Sequence, residues 1–104
     1  MQIRLFSAGE LDDLAGRPDV VLVDVRSRRE YARSHIRSAV NMPWEEGISA
    51  DRLPAGKLAV CWPYCEHGSS SMMAARELIR QGRRAGSVIG GISEYRGRNL
   101  VFFV

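Results

Sequence analysis

The segment that most constrains this chain runs from Leu58 to Gly82. A short apolar stretch, Leu58-Ala59-Val60-Cys61-Trp62, leads through Cys65-Glu66-His67-Gly68-Ser69-Ser70-Ser71 into Met72, Ala75 and Ile79 at helical spacing, with Leu78 beside them. A β-prone run, then small polar residues, then a period of three to four reads as strand, loop, helix. A loop of Gly and Ser can turn its backbone N–H groups inward, and the first turn of the helix adds unsatisfied N–H groups and the positive end of its dipole. Such a cup favours an anion. A thiol at its mouth is favoured as thiolate, the form that attacks sulfur, phosphorus or arsenic centres. Cys65 is therefore the candidate catalytic residue, and the backbone of Glu66, His67, Gly68, Ser69, Ser70 and Ser71 is the candidate substrate cradle.

The rest of the chain alternates in the same way. Ile3 to Phe6 reads as a strand, and Ser7 with Glu10 as a capping box opening a helix to Ala15. Val20-Val21-Leu22-Val23, ending at Asp24, is a continuous apolar run that suits a buried parallel strand. Ser27 with Glu30 is a second capping box, starting a helix through Ser34, and Ala39-Val40-Asn41-Met42 is a short strand stopped by Pro43. Trp44 to Pro54 is irregular, with room for one helical turn. Gly82 ends the helix after the loop, Ser87-Val88-Ile89 is a strand, Gly90-Gly91 a turn, Ile92 to Arg96 a further helical turn, and Leu100 to Val104 a β-rich tail. Strands alternating with short helices imply an α/β fold, a mostly parallel central sheet flanked by helices on both faces, with ligands at the carboxyl ends of strands. Cys65 falls at such an end.

Composition narrows the classes. At 104 residues the expected organisation is one domain over 1–104, long enough to bury a core without a metal or disulfide framework. No stretch approaches a membrane span, and the N-terminus goes directly into patterned sequence, so the reading is a cytoplasmic protein that needs no processing. Two cysteines do not make a disulfide framework and are expected as free thiols in a reducing compartment. The net charge is +3, and the densest basic group, Arg26, Arg28, Arg29, Arg33 and Arg37, is interrupted by Glu30. That group reads as a solvated helix face, and no basic surface with aromatic or motif support points to nucleic acid.

Asp24-Val25-Arg26 followed by Glu30-Tyr31, then His35-Ile36 and Ala39-Val40-Asn41-Met42-Pro43, together with Cys65, Gly68 and Ser71, Gly90-Gly91-Ile92 and Tyr95, resembles the single-domain rhodanese-like sulfurtransferases. The resemblance implies that Cys65 carries a persulfide, taking a sulfane sulfur from thiosulfate or a persulfide and passing it to cyanide or another thiol. It implies no cofactor and no metal. Its partners would be a small anionic sulfur donor, a thiol or cyanide acceptor and a sulfur-relay protein, with no nucleic acid or membrane.

The chain departs from the family pattern in three places. Many members carry an arginine where Ser70 stands, so an oxyanionic donor should bind more weakly here unless another arginine reaches in. Arg37-Ser38 replaces the usual Pro-Gly after His35-Ile36. Cys61-Trp62-Pro63-Tyr64-Cys65 is longer than a plain strand, and Pro63, which cannot donate in a ladder, is expected to end the strand at Cys61 or Trp62. Cys61 is thus a possible second thiol, able to form a transient disulfide if the separation allows. Asp24 and His35 are read as structural hydrogen-bonding residues, and Glu66 as facing solvent. Trp44 and Trp62 are read as pocket rim or core. Two alternatives stay open: a catalytically weak module that binds a partner or relays sulfur within a complex, and a Cys-based phosphatase or arsenate reductase.

Overall fold

The computed structural model describes residues 4–53, 60–66 and 69–102, with side chains from residue 9 onward. Its elements in chain order are β1 (Arg4–Ser7), α1 (Leu11–Leu14), β2 (Val20–Asp24), α2 (Arg28–Arg33), β3 (Ser34–Ile36), β4 (Val40–Asn41), β5 (Val60–Tyr64), α3 (Ser69–Arg80), β6 (Arg84–Ile89) and β7 (Leu100–Phe102). Five strands form one sheet in the order β1-β6-β5-β2-β4, and every neighbouring pair is parallel. β3 and β7 pair separately and antiparallel.

The apolar runs explain the layering. Along β2, Val21 and Val23 point to one face and Leu22 to the other; along β5, Cys61 shares the first face while Trp62 and Tyr64 share the second. The first face is covered by Ala74, Ala75 and Leu78 of α3, and Cys65 joins this layer. The second is covered by Leu11 and Leu14 of α1, with Ile36, Ile92 and Tyr95. Burial on both faces is what a continuous apolar run requires of a central parallel strand.

Pro63 does not end β5. It stands in register with Val23, and pairing to β2 continues to Tyr64 opposite Asp24. The Val60 N–H donates to the Asp19 carbonyl and the Tyr64 carbonyl accepts from the Val25 N–H, so alternate residues from Val60 address β2. Pro63 lies in the other phase. Its missing donor faces β6, where pairing stops at Cys61 opposite Ala85, so the proline costs the ladder nothing.

The capping box at Ser27 and Glu30 forms with both arms: the Glu30 N–H donates to Ser27 Oγ at 3.1 Å and the Ser27 N–H to Glu30 Oε1 at 3.2 Å. The start expected at Ser7 differs. A 3-10 turn occupies Ala8–Glu10, α1 is four residues long, and Glu10 at its N-cap makes no side-chain cap bond. Gly9 sits in that first turn, where glycine costs about 1 kcal/mol relative to alanine. Gly82, at φ 92°, ends α3 as expected, with the Arg83 N–H bonded to the Leu78 carbonyl and the Gly82 N–H to the Ile79 carbonyl. Trp44–Glu46 and Ala50–Arg52 make two 3-10 turns in the stretch expected to be irregular. Ile92–Glu94 makes another after the Gly90-Gly91 turn. Among the described residues no helix is long and apolar enough to cross a membrane.

Candidate active site

β5 carries Cys65 to the carboxyl edge of the sheet. The preceding Tyr64 is fully buried, and its bond to Val25 keeps the chain paired up to the cysteine. Beyond that point the backbone is clamped from the opposite side. The Cys65 carbonyl accepts from the Ile92 N–H at 2.9 Å, and the Glu66 carbonyl from the Ser93 N–H at 3.1 Å. Both donors follow Gly91, whose φ is 63° and where a Cβ would stand 2.3 Å from the Cys65 oxygen and 2.5 Å from the Glu66 oxygen. Only glycine permits that approach.

Cys65 exposes 6% of its surface and lines a cleft of about 290 Å³. Val25, Arg26 and Ser27 after β2, Glu30 of α2, Trp44, Glu45, Glu66, Ser69 and Ser70 line it with the cysteine. Ser69, Ser70 and Ser71 are the first turn of α3, so its unsatisfied N–H groups begin beside the thiol. Ser71 itself is fully buried and turns its hydroxyl to Ser87 Oγ at 2.9 Å, fastening α3 to β6. His67 and Gly68 lie outside the described residues, as do Leu58 and Ala59 ahead of β5.

Cys61 is sealed inside β5 at 0% exposure, and burial raises its thiol pKa, with the Arg83 charge opposing. Four residues of extended chain put its Cα roughly 13 Å from that of Cys65. A disulfide tolerates about 7 Å at most. Cys61 therefore cannot bridge to Cys65 in this fold, and the transient disulfide expected between them does not fit it.

Arg26 is the residue that composition misplaced. Instead of joining a solvated face with the exposed Arg28, Arg29 and Arg33, it is buried. Its Nε donates to both carboxylate oxygens of Asp24, at 3.0 and 3.2 Å, and its Nη2 to Asp24 Oδ2 at 2.8 Å. Burial works against the charge, but the hydrogen bonds and charge of Asp24 outweigh it and hold the Arg26 pKa above its ordinary value, with Tyr64 and Glu66 assisting. Asp24 is fully buried and also accepts from the Arg26 backbone N–H at 2.9 Å. The sequence signal was the spacing: a carboxylate at the end of a buried strand with a guanidinium two residues on.

Glu66 stands at the rim with its side chain 43% exposed, Oε1 lying 3.5 Å from Arg26 Nη1. It faces the cleft as well as solvent. Trp44 lines the cleft while Trp62 is core, and His35 is buried, stacked on Tyr31 with its Nδ1 2.8 Å from the Tyr31 carbonyl oxygen.

A strand-end cysteine at the mouth of a helix, in a parallel sheet of this order, is paired with a family match. Residues 7–98 match the rhodanese-like domain. The chain belongs to the rhodanese-like domain family. A thiosulfate sulfurtransferase, GlpE, of Coxiella burnetii is 29% identical over 100 residues, covering 95% of this chain and 92% of that protein. A tRNA sulfurtransferase of Desulfurococcus amylolyticus is 36% identical over 87 residues, 84% of this chain. The rhodanese-like chain spans only 17% of that relative's length, and 22% of a probable molybdopterin-synthase adenylyltransferase of Pyropia yezoensis. In solved structures, a rhodanese-like domain protein from Staphylococcus aureus superposes with a TM-score of 0.76 at 23% identity, over 98% of this chain and all of that one. That likeness speaks for the fold.

Proposed function

We propose that this rhodanese-like chain is a sulfurtransferase that moves a sulfane sulfur through a persulfide on Cys65. The observation that carries the reading is the contrast between its two thiols: one opens onto a cleft beside a helix start, the other is locked inside the sheet. In the first step the Cys65 thiolate attacks the outer sulfur of the donor. A new S–S bond forms at Cys65, the donor's S–S bond breaks, and sulfite or a thiolate leaves with the electron pair. In the second step a thiol or cyanide acceptor attacks the outer sulfur and Cys65 leaves as thiolate, so no external electron carrier is needed. The terminal sulfur of the persulfide carries charge that the N–H groups at the start of α3 stabilise. Donors are thiosulfate or a persulfide, acceptors a thiol or cyanide, with a sulfur-relay protein as a partner and the cytoplasm as the setting.

The phosphatase and arsenate reductase alternatives lose ground on the length of the loop. α3 begins at Ser69, leaving three residues after Cys65, and the described cleft residues offer a single guanidinium already committed to Asp24. A tetrahedral oxyanion wants more than that.

Intact-mass measurement after incubation with thiosulfate or an alkyl persulfide, with excess donor removed, tests the assignment. The wild type and Cys61→Ala should each gain one sulfur, and Cys65→Ala none. Retention of the adduct by Cys65→Ala with its loss from Cys61→Ala would reverse the assignment of the two thiols.

A further inference from the structure

The cleft above Cys65 has an electrostatic design that the sulfurtransferase reading leaves open. Among the described residues its charged lining is Arg26 against Glu30, Glu45 and Glu66. Arg26 has little left to offer an incoming anion. Nε and Nη2 are occupied by Asp24, and Nη2 also donates to the Ser34 carbonyl. Nη1 remains, and Glu66 Oε1 lies over it at 3.5 Å. Glu30 is held in its capping box, so Glu66 is the cleft carboxylate that reaches the remaining edge of the cation. The same Arg26–Glu66 pair also borders a second cleft, of about 280 Å³.

We propose that Glu66 sets donor choice: by occupying Arg26 Nη1 it turns the cleft away from the thiosulfate dianion and towards a hydropersulfide, R–S–SH. The proposal rests on the sulfurtransferase reading above and names the substrate class for that site. The charges decide it. Attack on thiosulfate, Cys65–S⁻ with S–SO₃²⁻ giving Cys65–S–S⁻ and SO₃²⁻, gathers three negative charges beside three carboxylates. Attack on a hydropersulfide in its protonated form, Cys65–S⁻ with R–S–SH giving Cys65–S–SH and R–S⁻, carries one, and attack on its anion, Cys65–S⁻ with R–S–S⁻ giving Cys65–S–S⁻ and R–S⁻, carries two, fewer than thiosulfate in either case. Like charges sharing one partly desolvated cleft oppose each other. Arg26 cannot offset this while its open edge is held by an internal anion.

The test compares initial rates of sulfur-adduct formation, by intact mass, for wild type and Glu66→Gln with thiosulfate and with benzyl hydropersulfide. Glutamine keeps the side-chain shape and removes the charge. The rate at low thiosulfate should rise about tenfold in the variant, while the hydropersulfide rate changes less than about twofold, since removing one nearby like charge acts in proportion to donor charge. Added salt should raise the wild-type thiosulfate rate and narrow the difference, because screening weakens the same repulsion. An adduct from hydropersulfide with no selective gain for thiosulfate in Glu66→Gln, or an equal gain for both donors, would overturn the role of Glu66 and leave the sulfurtransferase reading standing. Absence of any adduct in both proteins with both donors would sink that reading and this one together.

Discussion

Asp24 shows how a single buried charge can organise a site it does not enter. Its carboxylate takes the Arg26 backbone N–H and two guanidinium nitrogens, and so fixes the only cation among the described residues lining the cleft. The Asp24 carbonyl accepts from the Met42 N–H and the Asn41 side chain, tying the same residue to β4. Removing one partner of a buried pair leaves the other charge uncompensated. Asp24→Asn should therefore lower unfolding free energy by about 3–5 kcal/mol, read as a drop in urea midpoint with little change in slope. A loss below about 1 kcal/mol would mean that Arg26 reaches water once released, as surface pairs do. Much of this was within reach of the sequence and one part was not. The buried run ending at Asp24 and the cap at Ser27 are local patterns that survive folding, whereas the helix start read at Ser7 gives way to a 3-10 turn with α1 beginning only at Leu11. Arg26 was grouped with its neighbours by charge density, yet its fate was decided by Asp24 two residues earlier, at a strand end where alternate residues share a side.

At the scale of elements, the turn between β6 and the last 3-10 turn does the positioning. Gly91 brings two N–H groups onto the carbonyls flanking the Cys65–Glu66 peptide, and neither contact uses a side chain. Gly91→Ala would force a Cβ into the Cys65 and Glu66 oxygens at a positive φ, against backbone that has no rotamer to yield. The expected cost is about 2–4 kcal/mol in chemical denaturation, accompanied by a loss of sulfur-adduct formation larger than the fraction unfolded explains. Wild-type stability and adduct yield in the variant would show that the clamp is dispensable. The glycine pair was visible as a turn in the sequence, whereas its target 26 residues earlier was not, because nothing in local patterning reports which distant carbonyls a turn will meet. The β3–β7 pairing was hidden for the same reason. Ser34-His35-Ile36 is too short to show alternation, and it becomes a strand only because Leu100–Phe102 comes alongside. Pro63 misled in the opposite direction: a rule about missing donors needs to know which neighbour each donor faces, and that phase is set by the register of β5 against β2.

At the scale of the whole molecule, phenols tie segments that are far apart in the chain and make the fold sensitive to alkali. Tyr95 donates to Asp12 and accepts from the Asn99 N–H, joining α1 to the C-terminal segment, and Asn99 donates to the same Asp12 carboxylate. Tyr64 lies fully buried under the sheet, its oxygen accepting from the Ile36 N–H at 3.0 Å. Burial, with the Asp24 charge beside it, pushes the Tyr64 pKa far above the ordinary phenol range, and burial raises Tyr31 and Tyr95 in the same direction. A raised pKa in the folded state means that the folded chain holds its phenolic protons more tightly than the unfolded one. Their contribution is then fully present below about pH 10, the unfolded value, and is lost as pH rises from there towards the folded values. The fully buried Tyr64 steepens the alkaline limb by up to about 1.4 kcal/mol per pH unit, and the less buried Tyr31 and Tyr95 by less. Phenolate absorbance should consequently appear in step with loss of the far-ultraviolet dichroism, instead of titrating smoothly in a folded protein. Tyr64→Phe, at some cost in neutral stability because the Ile36 N–H loses its acceptor, should make the alkaline limb shallower by about one proton. A smooth titration of all three tyrosines near pH 10 with the dichroism intact would contradict the burial on which this argument rests, since a phenol that ionises freely beneath the sheet has water beside it.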